Sequence, residues 1–72
     1  MSQELLDTVR ARTFITSAGA TIRRSAKLSY ADVARVLDVA PSTVFRWERG
    51  KRTPGAVHAR SYAKLLQKIA AS

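Results

Sequence analysis

Apolar side chains recur every three or four positions along most of this chain, the spacing that gathers them on one face of a helix. Leu5, Leu6 and Val9 open the pattern, with Ser2 placed to cap a helix and Glu4 and Asp7 in its first turn, where carboxylates suit the helix dipole. The run Thr13-Phe14-Ile15-Thr16 is β-branched and aromatic and Gly19 follows, so this helix is predicted to end or bend before Ser17. Ile15, Ile22 and Ala26 then resume the buried spacing. They predict a helix from Ser17 or Thr21 to Ala26, with Arg23, Arg24 and Lys27 on its polar side.

Leu28-Ser29 makes a short connection in which Ser29 is a good N-cap, and Asp32, three residues on, approximates a capping box. The next helix is expected to start at Tyr30 and to bury Val33, Ala34 and Leu37 before the pattern stops at Asp38-Val39-Ala40-Pro41. Pro41 pushes Ala40 out of the helical region and suits the first turn of a new helix, which makes a tight turn between two short helices. That second helix should run from Pro41 to Arg49, burying Val44 and Trp47, and stop at Gly50. A basic loop, Lys51 to Gly55, precedes a closing helix marked by Val57, Tyr62, Leu65, Leu66 and Ile69. No strand alternation, repeat or low-complexity tract interrupts this, so the fold class is all-α, with four to five short helices.

Size and composition narrow the function. With 72 residues the chain has room for one hydrophobic core and little interior in which to assemble a catalytic site. It contains no cysteine and one histidine, His58, so neither a disulfide framework nor a metal site is expected. His58 and Ser61 are the only base and nucleophile at helical spacing, with no acid or oxyanion site beside them; catalysis and cofactors are not expected. The apolar runs are too short for a membrane span and the start is acidic rather than basic, which predicts a cytoplasmic protein. Charge changes the picture most. Thirteen Lys and Arg against five Asp and Glu give a net charge of +8, so an anionic partner is expected.

From Ser29 to Gly50 several positions together resemble the Cro and phage-repressor type of helix-turn-helix. Ala34 is the small residue that lets two helices approach, and Val33, Leu37, Val39, Val44 and Trp47 are the apolar residues that flank the turn and line the inner side of the second helix. The stretch Trp47-Glu48-Arg49-Gly50-Lys51-Arg52-Thr53-Pro54 carries the most specific part of the likeness, which covers about residues 15 to 70. It implies a lambda-repressor-like fold, with residues 15–72 as the DNA-binding domain and residues 1–14 as a helical N-terminal extension.

Two helices joined steeply by a short turn bury a shared seam and leave the outer face of the second free to enter a groove of double-stranded DNA. By the family pattern the base-reading residues are Pro41, Ser42, Phe45 and Arg46. Arg46 can bridge guanine O6 and N7 with two hydrogen bonds. Phe45 lies about 100° around the helix from Val44, which points it toward the outer face. Ser29, Tyr30, Thr43, Arg49, Lys51 and Arg52 are the candidate phosphate contacts. Tyr30 stands where relatives often carry Gln, and Asp38 where they place Gly. A carboxylate facing DNA would be repelled, so Glu48 should turn inward; the resemblance pairs it with Arg23 in a structural ion pair.

These features imply a transcriptional regulator, a Cro-like repressor of phage or prophage type, working as a homodimer without a small-molecule ligand. An antitoxin-type protein-binding module and a recombination or excision accessory factor are the alternatives.

Overall fold

The computed structural model describes residues 2–72; Met1, the first residue of the expected extension, lies outside them. The described residues form five α-helices: α1 (Gln3–Phe14), α2 (Ala20–Ser25), α3 (Tyr30–Leu37), α4 (Pro41–Glu48) and α5 (Ala56–Ala71). A π-helical turn, Ile15–Gly19, joins the first two. No strand occurs among the described residues.

The α-helix ends at Phe14, before Ser17 as expected, but the chain does not leave the helix there: it passes into the π turn and stays helical from Gln3 to Ser25. Two effects outweigh the poor helix propensity of the β-branched run. The hydroxyls of Thr16 and Ser17 donate to the carbonyls of Thr13 and of their neighbours Arg12 and Phe14, at 2.8 to 3.4 Å, serving main-chain acceptors where the ladder changes from α to π. Ile15 is also completely buried, and burying such a side chain contributes about 1.5–3 kcal/mol against a propensity deficit below about 0.7 kcal/mol per residue. The widened turn brings Ile15 and Gly19 inward together.

The three helices α2, α3 and α4 each stop on a residue in the left-handed region. Lys27 (φ 60°) ends α2, Asp38 (φ 56°) ends α3 and Gly50 (φ 71°) ends α4. After α2 and α4 the chain closes a Schellman motif, with Leu28 N–H donating to Arg23 O at 3.1 Å and Lys51 N–H to Arg46 O at 2.9 Å. Ser29 caps α3 with a complete capping box, its hydroxyl accepting from Asp32 N–H while Asp32 accepts from Ser29 N–H. Ala40 is extended (φ −75°, ψ 146°), as the proline after it requires.

The core is built from Ile15, Val33, Val44, Trp47, Tyr62 and Leu66, with Ala34, Ala59 and Ala63 allowing close approach between helices. Along α1 the inward residues are Thr8 and Ala11, which face α5; Leu5 and Val9 remain exposed. Two further expected core residues are not in the core. Ala26 is the C-cap of α2, where the chain turns away to the surface, and Val57 falls outside the stripe of Ala59, Tyr62, Ala63 and Leu66 that α5 turns inward.

Candidate nucleic-acid interface

The seam between α3 and α4 is made by Val33, Ala34, Val44 and Trp47, each no more than 3 % exposed. A helix fixed along that line must present its other side. Pro41, Ser42, Arg46 and Arg49 are exposed on α4, and Lys51 and Arg52 are exposed immediately after it. The loop carrying the last two is pinned, since the N–H groups of Lys51 and Arg52 both donate to the carbonyl of Arg46. Four cations between positions 46 and 52 therefore share one end of α4, and the carboxylate among them, Glu48, points away.

Glu48 is buried in a closed network. Arg23 grips it with two parallel hydrogen bonds, Nε to Oε2 at 2.9 Å and Nη2 to Oε1 at 3.1 Å, and its Nη1 donates to the carbonyl of Leu28 at 3.0 Å. The Tyr62 hydroxyl donates to Glu48 Oε2. The hydrogen bond to Glu48 raises the Arg23 pKa, and burial followed by the bond to Glu48 pushes the Tyr62 phenol well above its ordinary range. Both groups thus hold their protons, and α2, α4 and α5 are tied at one point. Sequence reasoning named Arg23 and Glu48 but counted Tyr62 only as an apolar position; a buried tyrosine needs a partner for its hydroxyl, and that was the available signal.

The remaining predicted contacts are more constrained than their spacing suggests. Thr43 is half-buried, and its N–H folds back to the carbonyl of Ala40 at 3.0 Å. Ser29 is exposed, but its N–H is spent on Asp32, which leaves its hydroxyl proton as its one free donor. Tyr30 is half-buried, with the Arg23 guanidinium 4.0 Å from its ring centroid. The phase argument sent Phe45 outward; the structure half-buries it at the junction of α3 and α4. There its ring meets Tyr30 edge to face at 5.5 Å, and the Arg49 guanidinium lies 5.0 Å from its centroid. The 100° step is correct, but a phenylalanine is long enough to fold back over the mouth of the seam.

A helix-turn-helix family model matches residues 20–70, most of the chain and all of the geometry above. The chain belongs to the helix-turn-helix family of the Cro and phage-repressor type. No curated protein and no solved structure matches it. As a member of this family it is a DNA-binding transcription regulator, which gives the four exposed cations at the end of α4 an anionic partner. The helix-turn-helix match begins at Ala20, so α1 and the π turn precede it. His58, the base weighed for catalysis, stacks on Trp47 at 5.4 Å between ring centroids and helps cover the tryptophan. Among the described residues no helix is long and apolar enough to cross a membrane, and no cluster of three metal-ligating side chains occurs.

Proposed function

We propose that this regulator is a Cro-like repressor of phage or prophage type, acting in the cytoplasm as a homodimer with α4 in the major groove of an operator. Residues 15–72 form the reading domain in this proposal, with residues 1–14 as its N-terminal extension. Pro41, Ser42 and Arg46 meet base edges. Ser29, Tyr30, Thr43, Arg49, Lys51 and Arg52 meet phosphate. The observation that carries the reading is the contrast between adjacent residues: Trp47 and Glu48 are locked inside while Arg46 stands in solvent. A side chain held that way has a fixed origin and a free guanidinium. A single module of this size binds weakly alone, so two copies should read half-sites about 34–36 Å apart.

Selection from a random duplex pool tests this. A consensus of two related half-sites should emerge, and Arg46→Ala should relax one base position in each, losing about 1–3 kcal/mol of discrimination there. A pool without enrichment at moderate salt would leave only polyelectrolyte binding and overturn the proposal.

A second reading, the antitoxin-type module, is favoured by Leu5 and Val9, which α1 leaves about half exposed. In that case Leu5→Lys abolishes partner neutralisation and leaves operator binding intact, whereas a dimer built on α1 loses both. An accessory factor for recombination or excision would instead bend its site, which circular-permutation gel shifts would reveal.

A further inference from the structure

A continuous stack runs from the buried carboxylate to the surface. Glu48 holds Arg23 in a bidentate pair; the Arg23 guanidinium lies 4.0 Å from the Tyr30 ring centroid; Tyr30 meets Phe45 edge to face at 5.5 Å; and Arg49 lies 5.0 Å from Phe45. Every member but the last is buried or half-buried, and Arg49 is exposed. An arginine side chain has many rotamers, so an unsupported surface guanidinium loses much of its interaction on being ordered. A cation over an aromatic face is already partly ordered, and both nitrogen-bearing ends of its planar fork stay open.

We propose that Phe45 and Tyr30 are positioning residues, a two-ring platform that sets the Arg49 guanidinium in place for one backbone phosphate, and that Phe45 does not read a base. The inference rests on the DNA-binding reading above and deepens it. It accounts for two facts that base-reading by Phe45 leaves unexplained: one face of its ring is occupied by Arg49, and the side toward α3 is occupied by Tyr30. It also gives the tyrosine at the start of α3 a task. Tyr30 transmits the fixed position of Arg23 to Phe45, so the ion pair inside the core orients a cation outside it.

The test uses Phe45→Leu, which keeps an apolar side chain and removes the ring, with Phe45→Tyr as the conservative restoration and Arg49→Ala as the reference. Arg49→Ala should lower the salt slope of operator binding by about 1. Phe45→Leu should weaken binding about two- to five-fold and leave the selected consensus unchanged. The double variant Phe45→Leu/Arg49→Ala should bind no more weakly than Arg49→Ala alone, and Phe45→Tyr should restore wild-type affinity. In the free protein, the Arg49 δ-protons should show an upfield ring-current shift that Phe45→Leu removes and Phe45→Tyr retains. A changed consensus with Phe45→Leu, additive losses in the double variant, or unshifted Arg49 protons would each overturn the platform while leaving DNA binding by α4 standing. A wild-type protein without salt-dependent duplex binding would overturn both.

Discussion

Helices α3 and α4 are each eight residues long and pack against one another, yet their ends are built in opposite ways. The N-terminus of α3 is closed by the reciprocal bonds of Ser29 and Asp32, and its C-terminus stops on Asp38, a residue that accepts the left-handed region at some cost. The N-terminus of α4 begins at Ala40-Pro41 with no side-chain cap, and its C-terminus stops on Gly50, for which that conformation is free. A helix N-terminus attracts anions through its unpaired N–H groups and its dipole. The difference teaches a division of labour. The supporting helix satisfies its own N-terminus, and the helix proposed to read DNA leaves that end to its partner, taking its stability from Val44, Trp47 and Glu48 instead.

The largest expected effect removes that borrowed stability. Glu48→Ala leaves Arg23 buried with its charge unpaired and deprives the Tyr62 hydroxyl of its acceptor, which should cost about 3–5 kcal/mol. In a domain of this size such a loss erases most of the cooperative transition in urea or thermal melts. Glu48→Gln keeps an acceptor for Tyr62 and should fall between Glu48→Ala and the wild type. A Glu48→Ala protein that melts like the wild type would mean α4 is held by its apolar residues alone.

Exchanging the caps sharpens the contrast. Ser29→Ala opens α3 and should destabilise by about 1 kcal/mol. Ala40→Asp closes α4, and should stabilise by a comparable amount while weakening operator binding, because the carboxylate then occupies the end that the phosphate would approach. Stability and affinity thus move in opposite directions in the second variant. If Ala40→Asp leaves affinity unchanged at low salt, the open end of α4 faces away from the duplex.

The same two helices also mark what could be read from the chain. Ser29, Asp32, Pro41 and Gly50 are local signals, and each acts within three or four residues; the helix boundaries they imply agree with the structure to within one residue. Most of the seam was legible too, because Val33, Ala34, Val44 and Trp47 repeat at a period the geometry demands; Leu37 and Val39, expected with them, are only half-buried at its margin. Other features depended on distant partners. The π turn at Ile15–Gly19 sets Gly19 beside Leu66 and the Glu48 side chain, residues far along the chain that no local signal reveals. Phe45 was placed by its angle alone, and only the presence of Tyr30 across the junction decides where its ring lies. Lys27 was treated as one more surface cation; its left-handed backbone follows from the Schellman closure of α2 and has no signature in a lysine.

Smaller effects follow at the C-termini. Asp38 (φ 56°, ψ 50°) is held where glycine has no steric penalty, so Asp38→Gly should be neutral or stabilising, by less than about 1 kcal/mol once the greater freedom of unfolded glycine is set against the relieved strain. Lys27→Gly should behave alike, since both side chains are exposed there. Gly50→Ala makes the opposite change and should destabilise. A clear loss of melting temperature in Asp38→Gly would show that the aspartate side chain, rather than the backbone, holds the turn.

The smallest effect is a matter of pH. The bond from the Ser29 N–H holds the Asp32 carboxyl below its ordinary value of 3.8. Because the folded value is the lower one, the charged capping box contributes its full share of stability above the usual carboxylate range and loses it as pH falls through the folded value. Asp32 is largely open to solvent, which keeps the effect small. Melting temperatures of the wild type and Asp32→Asn should therefore differ at neutral pH and converge on acidification below about pH 4. The α4 helix has no such box, so an acid dependence that persists unchanged in Asp32→Asn must arise outside the α3 cap. Parallel curves for the two proteins would mean that the charge on Asp32 does nothing for α3 and that Ser29 caps the helix alone.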